Sequence, residues 1–335
     1  MLLELNQVGK REMLLNIISR VDAKNCPITS MAPVGEPLTN TLVEWQADNY
    51  EDPNSDQVWP DGKDADSFGN ASPDRGMLRT FIAKLLDAAM VSDLAENVSD
   101  VAGLGKGELA ESMMKKLVRL KRAVESLIGS DLEDQEQAGD TPYRFRGLGS
   151  WIQNAAQTVH PVPAAFRTPT GSIDATATAS LTEVIVNDVL QSIWEQTGQI
   201  DDLNLVCGAT LRRAFTAMLT RVSASTNSAV QVRAYNSQFN GTMNAVVSQY
   251  NGDFGQVNII PTNFNAHTGF GGSSATIGRC RGYLFPTSLI KKSIKRKPKV
   301  KQLEDRGGGP RFLVDWVGAC WVTNPLGCGK FNATS

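Results

Sequence analysis

The longest regular pattern in the sequence is an amphipathic segment at residues 106–128. Gly105 and Gly107 flank its start and Gly129 follows it, so a helix of about 22 residues, or ~33 Å, is predicted. That is about twice the mean length of a helix in a globular protein. At 100° per residue its apolar side chains form one stripe. The members of the stripe are Leu109, Met113, Leu117, Leu120, Val124, Leu127 and Ile128.

Two other segments cannot bury themselves. Residues 27–37 contain three prolines, which exclude a helix and favour an extended arm. Residues 44–66 contain eight acidic residues and one lysine, and their Pro, Gly and Asp content predicts a loop. Trp59 and Phe68 lie in or just after this loop, although aromatic side chains are costly to leave in water. Both segments are therefore predicted to lie on another surface, either of this copy or of a neighbour.

Strand patterns flank the acidic loop. Residues 42–50 are predicted as a strand, whereas residues 77–98 fit either a long strand or a helix because their apolar period is ambiguous. If 77–98 is a strand, it pairs with 42–50 in a long hairpin that carries the acidic loop at its tip. Residues 4–23 have apolar residues at helical spacing and predict a short helix.

The second half of the chain alternates between helical and strand patterns, which predicts a compact α/β unit. Its first helix ends at Gly198, and two of its strands are separated by the turn dipeptide Asn251-Gly252. Long strands return after residue 289, the first basic (290–304) and the second apolar (310–324). On a regular strand the lysines predicted to share one face are Lys291, Lys295, Lys297, Lys299 and Lys301.

The net charge of −2 is small because two regions of opposite charge nearly cancel. Residues 279–306 hold ten basic and two acidic residues, and they balance the acidic loop 44–66. This balance argues against a dedicated DNA- or membrane-surface binder. The basic strand also lacks the interleaved aromatic residues of single-strand binders, so it is interpreted as a solvated face or a surface for another copy's acidic loop. No apolar run is long enough to predict a membrane span, so no membrane partner is expected.

Candidate catalytic and metal-binding residues are few. The glycine turn at 103–108 lacks the ending of a phosphate-binding loop, and His160 and His267 have no nucleophile partner in the sequence. Five cysteines without a C-x-x-C pair argue against a structural zinc site, and Cys207 and Cys320 are predicted as core residues. The chain is therefore predicted not to be an enzyme and to bind no cofactor and no metal.

The order of five short motifs resembles that of one branch of the tailed-phage major capsid proteins with the Hong Kong ninety-seven fold. The resemblance covers nearly the whole chain, and it is the order of the motifs that is specific. In sequence order they are CPITSMAPVG, LVEWQADNYED, KGELAESMMKKLVRLKRAVESLI, FRGLGSWI and DFGQVNIIP.

The resemblance implies an α+β fold with four parts. These are an N-terminal arm (1–42), an extended β-hairpin loop (43–98), a peripheral domain (99–175 and 290–335) with its long spine helix (106–128), and an α/β axial domain (176–289). Because the arm is only about forty residues long, a removable scaffolding segment is not expected, and scaffold protein, if used, would be a separate chain.

The function implied is a shell subunit whose copies form pentamers and hexamers of an icosahedral head around double-stranded DNA, bound non-specifically. Portal, scaffold and decoration proteins are further partners that the resemblance admits. The implied location is the virion, after assembly in the host cytoplasm. Two rivals are an encapsulin-like compartment that encloses cargo protein, and an enzyme or nucleic-acid-binding protein that merely has long arms.

Two sets of site residues follow. The first is predicted to join neighbouring subunits through the acidic loop and the basic strand: Glu51, Asp52, Asp56, Trp59, Phe68, Lys295, Lys297 and Lys299. The second lies opposite the apolar stripe of the long helix and is predicted to face DNA, with a plain solvated helix face as the equal alternative: Lys115, Arg119 and Arg122.

Overall fold

The fold is described from a computed structural model of the chain. The described residues are 26–50, 58, 60–62, 64, 75–97, 107–198, 202–218, 248–263, 275–305 and 307–333. The helix predicted at 4–23 and His267 lie outside them. The described helices are α1 (Pro27–Met31), α2 (Asp93–Asn97), α3 (Gly107–Ile128), α4 (Leu148–Trp151), α5 (Glu183–Thr197), α6 (Ala209–Met218) and α7 (Ala275–Cys280).

The described strands form three sheets. The smallest is an antiparallel hairpin of β1 (Leu42–Ala47) and β2 (Gly76–Phe81). The second has the order β3-β10-β9, from β3 (Ala83–Met90), β9 (Ile290–Leu303) and β10 (Arg311–Val322). The third has the order β4-β11-β8-β5-β7-β6 and is made of β4 (Ile173–Asp174), β5 (Leu203–Cys207), β6 (Gln249–Gly252), β7 (Gly255–Pro261), β8 (Arg281–Pro286) and β11 (Gly329–Asn332).

The long amphipathic helix is confirmed as α3. It packs its apolar stripe on β3 and β10 of the three-stranded sheet. Leu120, Val124, Leu127 and Ile128 are buried there, and the three stripe residues nearer its N-terminus are partly buried against the same core. The helix and the sheet thus form two layers that share one hydrophobic core.

The ambiguous segment 77–98 is neither one strand nor one helix. It divides into β2, β3 and the short helix α2. β2 pairs with β1 as the hairpin interpretation required, but the chain then turns at Ile82, whose N–H donates to the carbonyl of Thr41 (2.9 Å). β3 continues on a different sheet beside β10. Apolar periodicity could not reveal this break because both strands present apolar residues to the core.

The α/β unit has its own core between α5, α6 and the six-stranded sheet. The N-cap of α5 is Thr182, and its end is confirmed at Gly198, which takes a left-handed φ of 67° that glycine adopts without strain. The turn predicted at Asn251-Gly252 is displaced. Both residues belong to β6, and the chain reverses at Asp253 and Phe254.

The sheets cross two of the boundaries predicted from the sequence. β3 lies within 43–98 but pairs with β10, and β11 lies within 290–335 but pairs with β8 of the six-stranded sheet. Strand pairing therefore joins segments that are distant along the chain, and the four-part division of the chain stays a prediction.

Candidate assembly surfaces

The expectation that prolines exclude a helix from 27–37 is wrong at its start, because Pro27 occupies the first turn of α1 (Pro27–Met31), where a backbone N–H is not needed. The rest of the arm lies along the edge of the three-stranded sheet in the same chain. Val34 and Lys292 form a parallel bridge, with Gly35 N–H donating to the Lys292 carbonyl (2.7 Å) and Lys292 N–H donating to the Pro33 carbonyl (3.0 Å). Further along, Lys295 Nζ donates to the carbonyl of Thr39 (3.2 Å). The arm therefore covers the first part of β9.

The base of the hairpin is fixed by tryptophans. Trp45 on β1 donates its indole N–H to the Thr323 carbonyl (2.9 Å). Its ring lies between those of Trp151 and Trp321, with centroid distances of 5.5 and 5.9 Å. These contacts join the described base of the hairpin to α4 and to the end of β10.

The basic strand β9 is an edge strand and it is not regular. Its pairing with β10 shifts register twice, on the two sides of Val317, and Pro298 lies within the second irregular stretch. Each one-residue shift reverses the alternation of side chains. The prediction that five lysines share one face is therefore wrong. The residues of β9 that pair on the same face of β10 are Lys291, Ser293, Arg296, Lys299, Lys301 and Leu303.

One face of the three-stranded sheet is not covered by α3. Its cross-strand rows are Lys84–Val317–Arg296, Leu86–Asp315–Lys299, Ala88–Leu313–Lys301 and Met90–Arg311–Leu303. We call these twelve residues the uncovered sheet face. Leu86 and Met90 are 50% and 54% exposed. The surface thus combines exposed apolar side chains with a basic edge supplied by β9.

A buried charge lies under that basic edge. Asp315 is buried, and one of its carboxylate oxygens forms an ion pair with Arg296. Among the described residues Lys297 and Lys299 have no ion-pair partner. The edge can therefore accept acidic groups from another molecule.

The solvent face of α3 lies on the opposite side of the same two layers. Lys115 and Arg119, one turn apart, have side chains that are 63% and 72% exposed. Lys115 is 3.8 Å from Glu111, and Arg119 is 3.5 Å from Asp87, so neither has its charge fully available. Arg122 is half-buried. The structure brings together two of the three predicted DNA-facing residues as exposed groups.

The acidic half of the predicted inter-subunit contact is not described. Glu51, Asp52, Asp56, Trp59 and Phe68 all lie outside the described residues. Their predicted role therefore stays a prediction.

Sequence reasoning missed a buried ionic cluster beside the hairpin. Arg146 and Asp134 have fully buried side chains, and the Arg146 guanidinium donates to Asp134 Oδ1 (2.5 and 3.0 Å). His160 is held by Asp134 Oδ2 through Nδ1 (2.6 Å) and packs against Phe81 of β2. The Arg146 backbone N–H donates to Thr80 Oγ1 (3.1 Å). No spacing in the sequence links these residues.

A second cluster joins the end of α3 to the six-stranded sheet. Asp131 pairs with both Arg281 and Lys330, and Lys330 Nζ also donates to the Gly149 carbonyl (3.2 Å). Burial, followed by the charge of Arg281, lowers the pKa of Lys330 to about 7. Tyr283 donates its hydroxyl to the Gly129 carbonyl (3.1 Å). The cluster therefore ties the segment after α3 to β8 and β11.

All five cysteines are free and buried, and Cys207 and Cys320 are core residues as predicted. Within the described ranges no group of three or more His, Cys, Asp or Glu side chains is arranged to hold a metal ion. None of the helices in those ranges is both long and apolar enough to cross a membrane.

A family model described as the SU10 major capsid protein matches residues 3–323, which is nearly the whole chain. The chain belongs to this family. As a major capsid protein it is a structural shell protein, which confirms the resemblance seen in the motif order. A search of curated proteins finds no match for the chain.

Solved capsids share the fold of this major capsid protein at low sequence identity. The capsid protein of cyanophage P-SCSP1u is 12% identical, with 99% of this chain and 96% of that one aligned at a TM-score of 0.59. The protein of the mature capsid of bacteriophage PhiM1 is 12% identical, with 97% of this chain and 92% of that one aligned at a TM-score of 0.61. The α+β, Hong Kong ninety-seven-type fold is thereby confirmed. The SrpI encapsulin of Synechococcus elongatus aligns with 98% of this chain and 92% of its own at 10% identity and a TM-score of 0.52.

Proposed function

We propose that this major capsid protein forms the head of a tailed double-stranded DNA phage. Its copies assemble as pentamers and hexamers into an icosahedral shell around the genome, in the host cytoplasm, and remain in the virion. The observation that carries the proposal is the family match over residues 3–323. The near-complete alignment with the capsids of P-SCSP1u and PhiM1 supports it. Within the subunit, α3 with the three-stranded sheet corresponds to the peripheral domain, and most of the six-stranded sheet with α5 and α6 to the axial domain.

Electron microscopy of the purified protein tests the proposal. We expect closed icosahedral particles, and from infected cells we expect those particles to hold DNA that resists added nuclease. An encapsulin-like compartment remains the second candidate because the SrpI encapsulin shares the fold. Particles that consistently retain one protein cargo and no nuclease-resistant DNA would favour that candidate.

The neighbouring copy's acidic loop is the proposed occupant of the uncovered sheet face. The loop brings eight acidic residues within 44–66, and the face offers a basic edge at Lys299 and Lys301 beside exposed Leu86 and Met90. Lys297 lies in the irregular stretch of the same edge strand. Exposed ion pairs contribute only about 0–1 kcal/mol each, so charge would set register and partner choice. Trp59 and Phe68 would supply the anchoring burial. Lys295, already bound to the arm, would contribute less.

The solvent face of α3 is the proposed contact with packaged DNA. Lys115 and Arg119 are exposed there, on the side of the subunit opposite the uncovered sheet face. Their contacts would be to phosphates, hence independent of base sequence and weakened by salt. A shell reconstruction in which this helix face points outward would overturn the assignment.

A further inference from the structure

Glu125 on α3 is a carboxylate buried without an adjacent cation. Its side chain is 0% exposed. Oε1 accepts from the N–H of Ile28 (2.8 Å), and Oε2 accepts from the N–H of Thr29 (2.8 Å) and from the Thr29 hydroxyl. Within the described part of the chain no Lys, Arg or His lies within ion-pair distance of it. All three donors belong to α1, at the start of the arm.

The arm residues bound by Glu125 form part of the core. Cys26, Ile28 and Ala32 are buried against α3. Lys292 on β9 donates its ammonium to the Thr29 carbonyl, which fixes the far side of the same turn. Docking of α1 therefore seals Glu125 from water on this side. The protonation state of the Glu125 carboxyl group and the docking of the arm are consequently coupled.

The charged and titratable groups around Glu125 come from four elements. On α3 itself these are Lys121 and Arg122, on the arm Cys26, on β9 Lys292, and on β10 Cys320. Burial raises the pKa of Glu125, an effect opposed by the hydrogen bonds from Thr29 and Ile28 and by the positive charge of Lys121. Burial also raises the pKa of the Cys26 and Cys320 thiols, so neither carries charge near neutral pH.

The geometry provides a place for a proton. The Thr29 hydroxyl touches Oε2 and lies 3.3 Å from the Cys26 carbonyl. When Glu125 is protonated, its O–H can donate to Thr29 Oγ1, and the Thr29 hydroxyl can turn to donate to the Cys26 carbonyl. The Ile28 N–H keeps its acceptor on Oε1. The neutral carboxyl group is therefore satisfied by the same residues that bind the carboxylate.

We propose that the arm docks on the long helix with uptake of a proton by Glu125, so that the arm is held more tightly in acid than at alkaline pH. The sign follows from linkage. A carboxyl group whose pKa is higher in the docked state than in water stabilises docking fully below its ordinary pKa, and the effect is lost as pH rises through the docked value. Each unit between the two pKa values changes the docking equilibrium by about tenfold.

Hydrogen exchange of the full-length protein tests the proposal. The protection factors of the Ile28 and Thr29 amides, corrected for the intrinsic exchange rate at each pH, are expected to fall as pH rises through a single titration above the ordinary pKa of glutamate. Glu125→Gln is expected to abolish this dependence, and Glu111→Gln on the same helix is the matched control that retains it. Protection that is constant or that rises with pH in the unmodified protein would overturn the proposal.

A second pair of variants does not disturb the core. Lys121 is exposed and its charge holds the pKa of Glu125 down. Lys121→Gln is therefore expected to move the midpoint of the protection titration to higher pH, whereas Lys115→Gln, also exposed on α3 but farther away, is expected to leave it unchanged. Equal shifts from both variants, or none from Lys121→Gln, would contradict Glu125 as the proton acceptor.

Discussion

At the scale of single residues, the Asp134–Arg146 pair is expected to be the most sensitive polar contact. Both side chains are fully buried, so Asp134→Ala would leave an uncompensated guanidinium and lower the free energy of unfolding by about 3–5 kcal/mol. Glu136→Ala, an exposed position in the same loop, is expected to change it by less than about 0.5 kcal/mol. Denaturant titration of both variants measures the difference. Equal losses would mean that the ion pair is not what stabilises this loop.

Lys330 is expected to make the free energy of unfolding rise with pH above neutrality. Its pKa falls from 10.5 to about 7 because of burial and the charge of Arg281, while Asp131 already shares its charge with Arg281. The unfolded chain therefore binds more protons than the fold between these two values, and the contribution of this residue to stability rises from pH 7 toward pH 10. Lys330→Met is expected to remove that rise. Parallel stability curves for the two proteins between pH 7 and 9 would contradict it.

At the scale of elements, the apolar stripe of α3 is expected to hold the two layers together. Leu120 is 3% exposed, and Leu120→Ala should cost about 2–5 kcal/mol of unfolding free energy through lost burial and the cavity left behind. Met114→Ala on the same helix is the matched control, because Met114 is 52% exposed and should cost less than about 0.5 kcal/mol. Chemical denaturation of the two variants compares them directly. Similar losses would show that the helix is not stabilised by its stripe.

The helices and strands also show which features of the fold can be predicted from the sequence. The stripe of α3, the cap at Gly198 and the pairing of 42–47 with the start of 77–98 depend on local periodicity and turn chemistry, and each was predictable. The turn at Ile82 and the register shifts of β9 depend on which distant strand lies alongside, so periodicity within a segment could not reveal them. The Asp134–Arg146–His160 cluster was hidden for the same reason, because tertiary packing alone brings its members together.

At the scale of the whole molecule, shell closure is expected to depend on contacts that the isolated subunit leaves open. Trp59→Ala, outside the described residues, should leave a folded subunit or capsomer that does not close, because a well-packed aromatic anchor is worth roughly 2–4 kcal/mol in each copy. Reversing Lys297 and Lys299 to Glu should act likewise, with rescue by reversing acidic residues in 44–66. Lys115→Glu, on the opposite side of the subunit, is the matched control. Normal particles from both disruptive variants, judged by electron microscopy, would show that the loop is only solvated decoration.

The irregular edge of β9 has a consequence for how copies meet. A long exposed edge strand can pair with the same strand of another molecule, and repeated pairing of this kind produces fibres. Here the arm occupies one end of that edge, and two register shifts and Pro298 interrupt its middle. The remainder of the strand carries Lys299 and Lys301. In a protein that assembles from many identical copies, these features of β9 disfavour edge-to-edge pairing into fibres. Contacts between copies are therefore left to other surfaces of the subunit, such as the uncovered sheet face.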